Sequence, residues 1–238
     1  MAVQAEPVAE RRAAPFPISF YRTAVGKKVV MALTGIVGFG YVFAHMLGNL
    51  KIYLGETALN HYAEWLRTVG VPALPRGGFL WLGRAVLIGA LILHVHAAWS
   101  LARISKAARP SGYAKQDYVA ANYASRTMRW GGVIVLLFII YHLLDLTGGQ
   151  ANPNFVRGEV YENVVASFER WPVAIFYIIA NLALGLHLYH GLWSLFQTLG
   201  WSHTRFDPVR RKLAIAFALI VVAGNISFPL AVMTGAIG

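Results

Sequence analysis

The stretch VAIFYIIANLALGLHLYHGLWSLFQTL, residues 173–199, decides the fold. It carries no formal charge from end to end, and it exceeds the roughly 20 residues that a helix needs to cross the hydrocarbon of a bilayer. Further runs of the same kind lie near Val29–Leu50, Phe79–Ala102, Trp130–Leu146 and Leu213–Ile237, which brings the spans to five. The composition agrees. Of 238 residues, 57% are hydrophobic and 13% charged, whereas soluble domains average about 25% charged, and the mean hydropathy is +0.54. The chain therefore reads as an all-α membrane protein, a bundle of five transmembrane helices formed by residues 21–238. Residues 1–20, rich in Ala and Pro with Glu6 and Glu10, read as a flexible cytoplasmic tail.

A net charge of +11 would suit nucleic acid, but basic residues flanking apolar spans are first a topology signal, and no nucleic-acid partner is expected. Arg11, Arg12, Arg22, Lys27 and Lys28 precede the first span. Arg103, Lys106, Arg109, Lys115, Arg126 and Arg129 lie between the second and third, and Arg205, Arg210, Arg211 and Lys212 between the fourth and fifth. The opposite side holds only Lys51, Arg67, Arg76, Arg84, Arg157 and Arg170. The positive-inside rule thus puts the N-terminus in the cytoplasm and the C-terminus outside, in a multi-pass protein of the inner (cytoplasmic) membrane. The first span lacks the short apolar stretch and small-residue cleavage site of a secretory signal. Trp81, Trp130, Trp171 and Trp201 stand near span ends as interfacial anchors. The basic loops could also seat a soluble partner.

Four spans carry histidine in their interior: His45; His94 with His96; His142; and His187 with His190. An imidazole surrounded by hydrocarbon is costly unless its nitrogens are engaged, so each marks a candidate site. Spans alternate in direction, which sorts the histidines by depth. His45 and His142 each fall about six residues, roughly 9 Å, from the outer end of their helices. His94 and His187 fall about 15 to 16 residues below the outer end, roughly 23 Å down, so two levels about 10 to 15 Å apart are expected. Two stacked redox centres fit that spacing. His96 sits about 200° around the helix from His94, so both cannot face one planar ring, while His190 lies about 60° from His187 and could line the same pocket. His61 and His203 are read as loop residues, solvated or interfacial.

Other chemistry is excluded or weak. Without cysteine there are no disulfides, no thiolate-bound iron–sulfur cluster and no covalent heme in this chain. No Walker loop, dinucleotide fingerprint or nucleophile elbow occurs. Zinc sites and transporters usually add carboxylate or thiolate, yet Asp145, three residues from His142, is the only acid within an apolar run; it either bonds a group behind the ligand or reaches interfacial water. Gly35, Gly38, Gly40, Gly185 and Gly191 remove bulk either for a flat macrocycle or for close helix packing.

Specific strings then carry a resemblance. GKKVVMALTG (26–35), HMLGNL (45–50), NHYA (60–63) and HLYHGLWSLFQTLG (187–200) closely resemble the single-chain, five-helix, di-heme cytochrome b subunit of succinate dehydrogenase and fumarate reductase. The resemblance runs from about residue 19 onward. It implies two heme b groups with axial ligands paired between the first and third and the second and fourth spans. Carried over, His45 and His142 hold a distal heme near the outer face, and His94 and His187 a proximal heme nearer the cytoplasm. The family's ligand lies four residues before the glycine of Gly-Leu-Trp-Ser, which selects His187 over His190; His94 is likewise taken over His96, with His190 and His96 left as second-layer neighbours.

The same resemblance implies a flavoprotein with covalent FAD and an iron–sulfur protein on the cytoplasmic side, which do the succinate chemistry. The membrane subunit exchanges electrons with quinone, menaquinone where two hemes are present, and a higher oligomer of the complex is allowed. Glu64, after the first span, is the expected proton-handling acid of an outer quinone site; the alternative is an exposed glutamate. Two other functions compete: the cytochrome b of a membrane hydrogenase or formate dehydrogenase, and a metal or proton transporter using histidines in its path.

Overall fold

A computed structural model describes residues 15–108, 120–201 and 203–238. In chain order the helices are α1 (Ile18–Arg22), α2 (Ala24–Asn49), α3 (Glu56–Thr68), α4 (Gly78–Ala107), α5 (Ala120–Leu146), α6 (Val160–Phe168), α7 (Trp171–Thr198) and α8 (Asp207–Met233). A 3-10 turn, Leu50–Leu54, extends α2, and another, Thr204–Phe206, leads into α8. No strand occurs among the described residues. Five helices are long and apolar enough to cross a membrane: α2, α4, α5, α7 and α8. Of the expected tail, residues 1–14 lie outside the described residues, and Ile18–Phe20 already belong to α1. The basic residues Arg11, Arg12, Arg109 and Lys115 also lie outside them.

Local chemistry sets the ends of the spans. Thr23 Oγ1 accepts from the Gly26 N–H at 2.9 Å and caps α2. Proline stands in the first turn of both α7 and α8, where its missing N–H costs nothing. Helix α7 is central, packing on α8, α5 and α2, while α4 packs on α2. Small residues let the backbones approach: a Cβ at Gly185 would collide with Val222 of α8, and one at Gly224 with Met46 of α2. Met46, Leu184, Leu188, Ala218 and Val221 fill the space between these helices. Outward, Ile88, Ile92, Leu137, Ile140, Leu182, Leu186 and Leu219 are exposed. Such a surface aggregates in water and is solvated by lipid.

The segments read as connections contain two further helices, α3 and α6, packed on each other at one end of the bundle. Asn60 joins them. Its side-chain oxygen accepts from the N–H groups of Val160 (2.8 Å) and Tyr161 (3.0 Å), which α6 leaves unpaired, and its amide donates to Glu159 (3.0 Å) and Glu162 (3.2 Å). His61 is therefore a helical residue of α3 and not a loop residue. His203 is in the connection before α8, where its Nδ1 accepts from the Arg205 N–H at 3.2 Å.

Candidate metal centres

The bundle brings the span histidines together in two facing pairs. His45 of α2 and His142 of α5 have ring centres 5.8 Å apart, with planes at 80°. His94 of α4 and His187 of α7 have ring centres 6.2 Å apart, at 64°. Two imidazole nitrogens about 2.0 Å from one metal ion and about 1.1 Å from their own ring centres put those centres about 6 Å apart, so both pairs have the separation of a shared ion.

Their depths follow from the helices they face. A Cβ on Gly35 of α2 would lie 3.8 Å from the His94 ring, and one on Gly132 of α5 would lie 3.6 Å from the His187 ring. His45 is ten residues beyond Gly35, and His142 ten beyond Gly132. Both helices thus set the two levels about 15 Å apart.

The remaining nitrogens show whether the donor set suits a metal. Thr34 Oγ1 donates to the Val30 carbonyl at 2.8 Å, so at its 3.1 Å contact with His94 Nδ1 its oxygen accepts the ring proton. Tyr177 donates to Asp145 Oδ2 at 2.8 Å, so its oxygen accepts from His142 Nδ1 at 3.4 Å. At His45 the contact is of the other kind: the Asn49 amide nitrogen, a donor, lies 3.2 Å from Nδ1. In His94 and His142, and not in His45, a proton held on Nδ1 leaves Nε2 as a lone-pair donor, the tautomer a metal needs. His187 Nδ1 is buried without a partner. Two facing imidazoles with no carboxylate or thiolate between them fit a heme iron better than zinc.

Behind His142 stands a buried polar cluster. Asp145 is 0% exposed and takes hydrogen bonds from Arg170 Nη2 at 2.6 Å, from Tyr177 and from Ser167. Arg170 also donates to the Ala151 carbonyl at 2.8 Å. Of the two settings expected for Asp145, the one at interfacial water is overturned; the carboxylate lies behind the histidine pair.

A family model, the succinate dehydrogenase/fumarate reductase transmembrane subunit, matches residues 107–226. The chain belongs to that family. It is a membrane subunit of the succinate dehydrogenase/fumarate reductase type, and the family associates with the catalytic subunits of these complexes. No curated protein and no solved structure matches the chain. The family match contains His142 and His187 and the Asp145–Arg170–Tyr177 cluster, whereas His45 and His94 precede it.

Within this membrane subunit the other singled-out residues separate. His96 is drawn away from both pairs: the Tyr21 hydroxyl meets its Nδ1 at 2.5 Å. His190 lines an apolar cavity of about 280 Å³ together with His187, Trp130, Gly131 and Ile134. Glu64 is 43% exposed and ion-paired with Arg67 at 3.2 Å and with Arg76. Those two guanidiniums, Arg67 first, hold its carboxyl below the usual carboxylate range. Among the glycines, Gly185 and Gly191 serve helix packing, the latter 3.1 Å from Phe39 at a built Cβ, while Gly38 and Gly40 face open space. Tyr177, Thr34 and Asn49 escaped the sequence reading, and Arg170 was read there only as an outer-side cation. Contacts 35, 60 and 25 residues apart in the chain hide Tyr177, Thr34 and Arg170, whereas Asn49 stands four residues from His45 and was overlooked.

Proposed function

We propose that this membrane subunit is a di-heme cytochrome b that relays electrons between an iron–sulfur partner and membrane quinone. The observation that carries the reading is the pair of facing imidazole couples, each near 6 Å between ring centres. A b-type heme held between two such imidazoles would supply one-electron transfer. His45 and His142 would hold the group at the outer level, and His94 and His187 the one at the inner. Thr34 and Tyr177 fix the tautomers of His94 and His142.

The N-terminus and the basic loops face the cytoplasm in this reading, in the inner membrane, with the iron–sulfur subunit and its FAD-bearing partner docked there. Succinate chemistry is theirs. Quinone, menaquinone with two hemes in series, is handled at the opposite end. A cavity of about 390 Å³ lined by Lys51, Ala58, His61, Tyr62 and Trp65 supports that end as the quinone site. Lys51 lies over the Tyr62 ring, and Tyr62 stacks on Trp65, which gives aromatic faces beside hydrogen-bond donors. Glu64, next to Trp65 in α3, is the proton-handling acid of that site, and Arg67 and Arg76 keep it ionised.

A dithionite-reduced minus oxidised spectrum of the purified complex tests the reading. Two b-heme components, with flavoprotein and iron–sulfur subunits co-purifying, are expected. A hydrogenase or formate dehydrogenase partner, or a chain without an alpha band, would overturn it. His94→Ala is expected to remove the inner heme and His96→Ala to leave both.

A further inference from the structure

We infer that Tyr177 is a positioning residue for His142, held by Asp145, and that through it one buried carboxylate tunes the outer centre alone. The inference rests on the di-heme reading and deepens it. His142 Nδ1–H donates to the Tyr177 oxygen at 3.4 Å, and the Tyr177 hydroxyl donates to Asp145 Oδ2 at 2.8 Å. Asp145 cannot swing away, because Arg170 Nη2 at 2.6 Å holds its other oxygen and Ser167 shares Oδ2. Asp145 and Ser167 are fully buried and Tyr177 is 4% exposed, so no water competes for these bonds. The carboxylate draws the phenol proton toward itself and makes the phenol oxygen a stronger acceptor for the ring N–H. A ligand whose N–H is accepted by a group polarised toward a charge becomes more basic at its other nitrogen, which favours the more oxidised metal.

The inner level has no such relay. His94 Nδ1 meets the neutral hydroxyl of Thr34, whose proton goes to a main-chain carbonyl, and His187 Nδ1 meets nothing. Of the four imidazoles, His142 is the one that the described hydrogen bonds connect to a charge. The geometry therefore lowers the outer centre's potential and leaves the inner one untouched.

The test is a redox titration of the purified complex followed at the heme alpha band, with the outer component assigned as the one that His45→Ala loses. Tyr177→Phe keeps the ring packing and removes the relay. The outer midpoint is expected to move upward and the inner midpoint to stay. An unmoved outer midpoint, or equal shifts of both, would overturn the positioning role. If Tyr177→Phe sheds the outer heme, Asp145→Asn carries the test, because it keeps the phenol and weakens its pull: an upward shift of the outer midpoint alone supports the role, and any other result overturns it. A wild-type complex without two components overturns the di-heme reading and this inference with it. Two components with unmoved midpoints overturn the inference alone.

Discussion

An ionised carboxylate removed from water needs its lone pairs met by donors, and Asp145 has Arg170, Ser167 and Tyr177 around it. Removing one member of a buried ion pair strands the other, at a cost of about 3–5 kcal/mol. Arg170→Leu is therefore expected to lower the thermal unfolding midpoint in detergent sharply. Arg67→Leu, which breaks a half-exposed pair with Glu64, is expected to cost at most about 1 kcal/mol; equal losses would contradict the burial argument. Glu64→Gln is expected to slow quinone turnover while both hemes remain. Unchanged turnover would reduce Glu64 to a partner of Arg67 and Arg76. At this scale the four facing histidines were legible, because imidazole stands out in an apolar run. The groups that engage their outer nitrogens were not: Tyr177 lies 35 residues from His142 and Thr34 lies 60 from His94, and only the crossing of helices joins them.

The spans are the legible elements. Each is an apolar run of membrane length; the bundle adds a few residues at most ends, as where α4 runs on to Ala107, and ten at the start of α5, which begins at Ala120. Helices α3 and α6 were invisible for a physical reason: they are short, partly polar, and stabilised by each other rather than by lipid. Asn60 is the joint, so Asn60→Ala is expected to cost about 1–2 kcal/mol, with proteolysis near 147–159 as a sensitive readout. The glycines behave as two classes that composition does not separate. Gly185→Ala drives a methyl into Val222 of α8 and is expected to destabilise by about 1–3 kcal/mol. Gly38→Ala meets open space and is expected to be harmless; a comparable loss there would mean that a surface absent from this chain covers it.

On the scale of the whole molecule, α2 and α5 reach both levels, while α4 supplies a histidine only to the inner pair and α7 likewise. The family match spans residues 107–226, and α2 and α4 complete each pair from outside that range. The two histidine pairs lie about 15 Å apart along the bundle, a spacing that would suit the proposed electron relay. The central claim is the pairing itself, and heme stoichiometry read with the alpha-band spectrum in single His→Ala variants tests it most directly. The account predicts two hemes per chain in the wild type. His45→Ala and His142→Ala should lose the same spectral component, and His94→Ala and His187→Ala the other. A variant pair that loses different components, or a single substitution that removes neither, would contradict it.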